Sequence, residues 1–230
     1  MNSNIKIRQL EFGLLLFIAI GPLLAASIFS IAREFPKMDP SFLDLQVISG
    51  LILEIGSIAL LIYVLFRQNR SLSDLGFAFN KRDIIHSIVL VVVAFIANYI
   101  AFYIFSIFSQ LILGHGLPKA EFQTVLDSGF TLPLLLFILV NPFFEELIVR
   151  SYLITEIEFF SKSAVNAGLF SVFIQVAYHL YQGVSNALTM VGVFSIFTVY
   201  YIKKRRIWPI ILAHAYFDLY AYTFYFFYKA

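Results

Sequence analysis

The fold is decided by the stretch Asn-Pro-Phe-Phe-Glu-Glu-Leu-Ile-Val-Arg-Ser-Tyr at residues 141–152, which places two carboxylates and a guanidinium inside an apolar run. On insertion scales, each ionisable group in hydrocarbon costs roughly 2.5 to 3.5 kcal/mol. Charges that persist in such a segment therefore need partners inside the protein, and they indicate a functional site by default.

Helical geometry predicts different roles for these three charged residues. At about 100° per residue, Glu146 and Arg150 lie about 40° apart on one helix face, whereas Glu145 points about 140° away from Arg150. The spacing predicts a Glu146–Arg150 ion pair and leaves Glu145 free to take up and return protons. Asn141 and Pro142 are predicted to be the N-cap and first residue of this helix, with Glu145 in its first turn. Alternatively, the three charges have a structural role only and hold two helices together.

The composition is that of a membrane protein. Of the 230 residues, 60% are hydrophobic and only 13% are charged, and the mean hydropathy is +0.87, whereas charged residues make up about 25% of soluble domains. We expect residues 1–230 to form one integral-membrane domain, an all-α polytopic transmembrane helix bundle. There is no cysteine, which excludes disulfides, thiolate nucleophiles and cysteine metal sites. Nothing indicates nucleic-acid binding.

Seven apolar segments have the length of membrane spans. They are 10–32, 43–66, 84–113, 131–160, 164–181, 187–202 and 207–228. The bundle is therefore expected to have seven or eight spans, and the long fourth segment is expected to have a break near Pro142 or an interfacial end. The polar connection 67–83 is predicted to be an interfacial loop or short amphipathic helix, and 114–129 forms a second polar connection.

The distribution of Lys and Arg predicts the orientation. With a cytoplasmic N-terminus, eleven of these residues lie on the inner side and four on the outer side, which satisfies the positive-inside rule. The inner set is Lys6, Arg8, Arg67, Arg70, Lys81, Arg82, Lys162, Lys203, Lys204, Arg205 and Arg206, and the outer set is Arg33, Lys37, Lys119 and Lys229.

Three further polar residues stand out in apolar segments. His179 lies late in the fifth segment, and His214 and Asp218 share a helix face in the last one because they are four residues apart. Polar groups in membrane helices turn towards the bundle interior, so these residues are predicted to converge with the Glu pair on one cavity. We interpret the remaining ones as residues of ordinary inter-helix hydrogen bonds or of the membrane interface: Glu54, His86, Asn98 and His115.

These side chains suit the activation of water. Glu145 would be the general base, His179 would order the water or shuttle its proton, and His214 with Asp218 would stabilise an oxyanion. Alternatively, Glu145, His179 and His214 would hold Zn²⁺ and leave one position for water. No Ser-His or Cys pair, Gly-rich phosphate loop or His-Glu-x-x-His signature is present.

The motifs resemble those of the CPBP family, the CAAX proteases and bacteriocin-processing or abortive-infection proteins. Glu-Glu-x-x-x-Arg stands at residues 145–150, the His of Phe-x-x-x-His is His179, and His-x-x-x-Asn/Asp runs from His214 to Asp218. The similarity covers about residues 130–222. Gln175 occupies the position of the family's Phe, and a buried amide there would alter the hydrogen bonding of His179 or mark a degenerate enzyme.

The resemblance implies a glutamic intramembrane endopeptidase with a catalytic core at about 130–222. In the family's best-known branch, the peptide bond is cleaved three residues from the C-terminus of a prenylated Cys-a-a-X protein. It also implies that Glu145, His179, His214 and Asp218 are catalytic, and we expect Glu146 and Arg150 to support them.

We expect no cofactor, or zinc in the alternative. The expected partners are the lipid bilayer and a peptide or lipidated-protein substrate, and the expected location is the bacterial cytoplasmic membrane. The competing hypotheses are a non-catalytic scaffold or immunity protein of the same fold and a proton-coupled carrier.

Overall fold

The computed structural model describes residues 3–32, 40–117 and 131–229. Within these ranges all regular secondary structure is helical and there are no strands. The predictions made for Arg33, Lys37 and Lys119, and for most of the 114–129 connection, lie outside the described residues.

Nine α-helices are numbered here in chain order. They are α1 Ser3–Ala32, α2 Pro40–Arg67, α3 Arg82–Leu113, α4 Leu132–Phe144, α5 Leu153–Ser161, α6 Ala164–Tyr178, α7 Val184–Thr189, α8 Val191–Lys204 and α9 Trp208–Lys229 among the described residues. A π-helical segment, Glu145–Tyr152, joins α4 to α5. Short 3₁₀ helices occupy Leu72–Leu75 and Leu180–Gln182.

The predicted polytopic bundle is confirmed. Within the described ranges, five helical segments are long and apolar enough to cross a membrane: Ile5–Ser30, Leu45–Arg67, Arg82–Leu113, Leu132–Ser161 and Val184–Lys204. The predicted span 164–181 is shorter than expected, because α6 ends at Tyr178 after 15 residues. From there the chain turns through the second 3₁₀ helix and Gly183, whose φ of 93° is open to glycine at little cost.

The prediction that a helix begins at Asn141 is wrong. α4 begins at Leu132, where the Thr131 side chain accepts a hydrogen bond from the Leu134 N–H, and it continues through Pro142. Because proline has no N–H, the helical ladder loses one bond here, and the helix widens into the π segment three residues later instead of breaking. Glu145 therefore lies far from a helix N-terminus. The helix dipole has no effect at that distance.

One end of the bundle is closed by ion pairs that we call the polar end layer: Arg8, Glu11, Arg67, Arg70, Asp83, Glu156, Glu158, Arg205 and Arg206. At its centre, the fully buried Glu156 accepts hydrogen bonds from Arg8 at 2.6 and 2.9 Å and from Arg70 at 2.5 Å. Five of the eleven positive residues predicted to share the inner side meet in this layer.

The connection between α2 and α3, residues 68–81, packs against the bundle at the same end as the polar end layer. Leu75 is buried, and the Phe77 ring stacks on Trp208 with centroids 4.8 Å apart. Gly76 has φ of 80°, and a Cβ there would lie 2.2 Å from the Arg205 carbonyl oxygen, so no other residue fits without a shift. Of the predicted loop or short helix, the structure has a short 3₁₀ helix at Leu72–Leu75, and its place at the membrane interface stays a prediction.

The π segment begins about three helical turns before Glu156, the central residue of the polar end layer. Glu145 precedes Glu156 of the polar end layer by eleven residues, or about 16 Å along a helix. The hydrocarbon core of a bilayer is about 30 Å thick. With the polar end layer at the edge of the hydrocarbon, we expect the carboxylate of Glu145 near the middle of the membrane.

Candidate active site

The predicted ion pair between Glu146 and Arg150 is present, and it is the centre of the hydrogen-bond network of the site. Both side chains are fully buried, and the Arg150 Nε donates to Glu146 Oε2 at 2.5 Å. The remaining guanidinium donors bond to Glu146 Oε1, the Phe194 carbonyl, Thr198 Oγ1 and Gln175 Oε1. Five N–H donors are therefore matched by five acceptors, and Arg150 has no donor left for Glu145.

Hydroxyl groups of neighbouring helices donate hydrogen bonds to backbone carbonyls of the π segment. Ser171 of α6 donates to the Val149 carbonyl at 2.7 Å. The Tyr201 hydroxyl of α8 shares its hydrogen between the Leu75 carbonyl at 3.2 Å and the Ser151 carbonyl at 3.4 Å. Buried backbone carbonyls need partners, and π segments recur at functional sites. The irregular helix is thus stabilised by packing, and it carries both glutamates.

Glu145 faces His179 across the bundle. Its Oε1 lies 3.9 Å from the His179 Nε2, which is too long for a hydrogen bond, and its Oε2 has no partner among the described residues. His179 Nδ1 is 2.7 Å from the backbone carbonyl of Gln175. A carbonyl only accepts, so the proton is on Nδ1 and the lone pair of Nε2 points towards Glu145.

His214 is held by Glu146, a contact that the sequence did not predict. Its Nδ1 lies 2.8 Å from Glu146 Oε1, and its Nε2 lies 3.6 Å from Asp218 Oδ1. His214 and Asp218 are therefore close together, as predicted. The carboxylate that fixes the imidazole tautomer, however, is that of Glu146. Glu146 thus joins the Arg150 network to the second histidine.

Asp218 lies at the more accessible edge of the site, with 27% of its side chain exposed. The Asn141 side-chain amide reaches Asp218 Oδ2 at 3.5 Å. Asn141 is therefore a residue of the site wall, where the sequence had predicted a helix cap.

Gln175 replaces the family's Phe without disturbing His179. Its side chain is fully buried and its Oε1 accepts from Arg150 at 2.7 Å, whereas His179 uses only the backbone carbonyl of Gln175. The aromatic neighbours of His179 include Tyr178 and Phe194, with ring centroids 4.6 and 5.0 Å away. The amide oxygen therefore bonds to the guanidinium, and among the recorded hydrogen bonds the His179 ring has none to the Gln175 side chain.

Glu54 of α2 was missed as a site residue. It is 4% exposed, and its Oε2 has no partner in the described part of the chain, so the expected inter-helix hydrogen bond of this oxygen is absent. It is close enough to Glu145, Asp218 and His214 to interact electrostatically with each. An isolated carboxyl inside segment 43–66 was the available signal. His86, by contrast, bonds to the Tyr200 hydroxyl at 2.7 Å, as expected.

The zinc alternative needs three side chains that converge on one metal position. Within residues 3–32, 40–117 and 131–229, no three His, Asp or Glu side chains are arranged as metal ligands. The His214 Nδ1 is occupied by Glu146, and its Nε2 faces Asp218.

Residues 127–220 match the Rce1-like family, described as type II CAAX prenyl endopeptidase Rce1-like. The matched segment is 94 of the 230 residues and includes all three motifs, so the resemblance to the CAAX proteases is confirmed over this part of the chain. The family implies a peptidase. Neither the curated proteins nor the solved structures gave a significant match.

Proposed function

We propose that this chain, with its Rce1-like segment, is an intramembrane endopeptidase that hydrolyses a peptide bond of a membrane-associated substrate through water activated by Glu145 and His179. The observation that carries the proposal is the 3.9 Å separation between the Glu145 carboxylate and the His179 Nε2. Two hydrogen-bond acceptors face each other there, and a water molecule has two hydrogens with which to bridge them.

Glu145 acts as the general base. It removes one proton from the water, while His179 accepts a hydrogen bond from the other hydrogen and thereby fixes the direction of attack. The hydroxide oxygen then bonds to the carbonyl carbon of the scissile peptide. Positioning of this kind matters because reaction requires the attacking atom about 3 to 3.5 Å from the carbon.

His214 stabilises the oxyanion. Its Nδ1–H donates to Glu146, and the Asp218 carboxylate near Nε2 favours a proton on that nitrogen as well. An Nε2–H group so placed donates to the developing negative charge. Because Glu146 is itself held by Arg150, this donor is oriented before substrate arrives.

Collapse of the tetrahedral intermediate completes the hydrolysis. Glu145 returns its proton to the leaving nitrogen as the C–N bond breaks, so one peptide and one water give one carboxylic acid and one amine. The protein ends the cycle in its starting protonation state.

The substrate test uses purified wild-type protein in lipid vesicles and three labelled peptides. These are a farnesylated peptide ending in Cys-a-a-X, the same peptide without the lipid, and an apolar leader-type peptide. We expect the farnesylated peptide to be cut after its cysteine, with fragment masses that add up to substrate plus one water. Cleavage of the leader-type peptide only would reassign the substrate class. No cleavage of any of the three would favour the non-catalytic scaffold.

A strong chelator added to the same assay tests the metal alternative. Because no three His, Asp or Glu side chains are grouped as metal ligands among the described residues, we expect the cleavage rate to stay unchanged and the purified protein to contain no stoichiometric zinc. Loss of activity that zinc restores would contradict the metal-free reaction.

A further inference from the structure

Gln175 makes two different hydrogen bonds within the candidate site. Its side-chain Oε1 accepts from Arg150 at 2.7 Å, and its backbone carbonyl oxygen lies 2.7 Å from the His179 Nδ1. Arg150 in turn donates to Glu146, which lies 2.8 Å from the His214 Nδ1. Gln175 is therefore connected both to the histidine proposed to order the water and to the histidine proposed to stabilise the oxyanion.

The place of Gln175 in α6 makes its side-chain contact important. α6 ends at Tyr178, so Gln175 lies in the last turn, where helices run out of backbone hydrogen bonds and fray. One turn earlier, Ser171 donates to the Val149 carbonyl of the π segment. Residues 171, 175 and 179 are four apart and share one helix face. The bond from Gln175 to Arg150 thus continues a row of contacts with the π segment towards His179.

The amide of Gln175 carries a cost that an apolar side chain would avoid. The side chain is fully buried, and its Nε2 has no partner among the described residues. Leaving a buried donor unsatisfied costs about 1 to 3 kcal/mol, and the Phe of the related family has no such group. The Oε1, by contrast, is one of the five acceptors that match the donors of Arg150. What this position supplies is therefore the oxygen and not only bulk.

We propose that Gln175 is a positioning residue of the active site, whose side chain fixes the last turn of α6 to Arg150 so that this turn holds His179 opposite Glu145. If the turn frays, the His179 Nδ1–H loses the Gln175 carbonyl, and the imidazole no longer presents the lone pair of Nε2 to Glu145. The inference rests on the proposed function for its effect on catalysis, but not for the orientation of His179.

The first test is NMR of the histidine ring nitrogens in the purified protein, which needs no substrate. The chain has only four histidines, and the signals of His179 are identified by their loss in His179→Ala. Wild-type protein is expected to show His179 with its proton on Nδ1 only. Gln175→Met has a side chain of similar length without the acceptor, and it is expected to show both tautomers. Gln175→Leu gives the same expectation should Gln175→Met fail to fold. Gln175→Glu keeps an oxygen that accepts from Arg150 and is expected to keep the single tautomer.

Thr198→Val is the matched control. It also removes one acceptor of Arg150, but from α8 and not from the turn that holds His179, so it is expected to keep the single tautomer. A single tautomer in folded Gln175→Met would overturn the proposal, whether or not the protein cleaves peptides. A mixture in Thr198→Val as well would show that the Arg150 network as a whole orients the histidine, which also overturns it.

The second test measures kcat and KM separately on the farnesylated Cys-a-a-X peptide. A misplaced histidine affects the attack of water and not the binding of the peptide. Gln175→Met is therefore expected to lower kcat by about 10- to 100-fold with KM unchanged, and Gln175→Glu is expected to stay near the wild-type kcat. An equal fall of kcat in Gln175→Met and Gln175→Glu would show that the oxygen has no role and would overturn the proposal.

Discussion

At the scale of single residues, Glu146 organises the site by bonding to Arg150 and His214 at once. The spacing of four residues was sufficient to predict the first contact, because it depends only on helix geometry. The second contact joins residues 68 positions apart, and it depends on how α9 packs against the π segment. The sequence therefore identified the polar residues and the local pair of Glu146 with Arg150, but not the contact of Glu146 with His214.

Replacing Glu146 by Gln is expected to destabilise the protein strongly. The change leaves the fully buried guanidinium of Arg150 without a carboxylate, and breaking a buried pair in this way costs about 3 to 5 kcal/mol. Thermal unfolding in detergent measures the loss. Glu158→Gln is the control, because its pair with Arg205 is part-exposed and such pairs contribute about 0 to 1 kcal/mol. Equal melting temperatures for the two variants would contradict the role given to Glu146.

At the scale of elements, the long apolar segments predicted where helices run, but not how they are distorted. Pro142 was taken as a helix start because proline favours the first turn. Inside a bundle, however, side chains such as Ser171 satisfy the backbone groups that an irregular helix frees. The π segment and the early end of α6 both depend on such contacts, which a single sequence does not display.

The contact between α3 and α8 gives a prediction at this scale. A Cβ at Gly192 would lie 2.3 Å from the carbonyl oxygen of Ala97, whereas one at Gly13 would have no heavy atom within 4 Å. Gly192→Ala should therefore push α8 away from α3 and cost about 1 to 3 kcal/mol. Gly13→Ala should be neutral or stabilising by about 0.5 to 1 kcal/mol, since alanine favours helix. A melting temperature for Gly192→Ala at or above that of wild type would refute the close approach.

At the scale of the whole molecule, charged side chains are concentrated in two places, the polar end layer at one end of the bundle and the buried candidate site. The alternation of Lys and Arg along the chain predicted that Arg8, Arg67, Arg70, Arg205 and Arg206 share one side, and they do meet there. Their acidic partners were not predicted, because no local spacing connects them. We propose that this layer faces the cytoplasm.

The absence of cysteine from the sequence makes the orientation easy to measure. Lys203→Cys lies at the polar end layer, and His115→Cys lies just beyond the other end of α3. In intact cells, a membrane-impermeant maleimide is expected to label His115→Cys but to label Lys203→Cys only after permeabilisation. The opposite pattern would place the N-terminus outside.

The central claim is that Glu145 and His179 together activate the water that cleaves the peptide bond. The most direct measurement compares kcat/KM on the farnesylated Cys-a-a-X peptide for wild type, Glu145→Gln and the Glu158→Gln control, each checked for insertion and an unchanged melting temperature. Loss of the general base predicts a rate about 10²- to 10⁴-fold lower for Glu145→Gln and an unchanged rate for the control. Wild-type activity in folded Glu145→Gln would contradict the account.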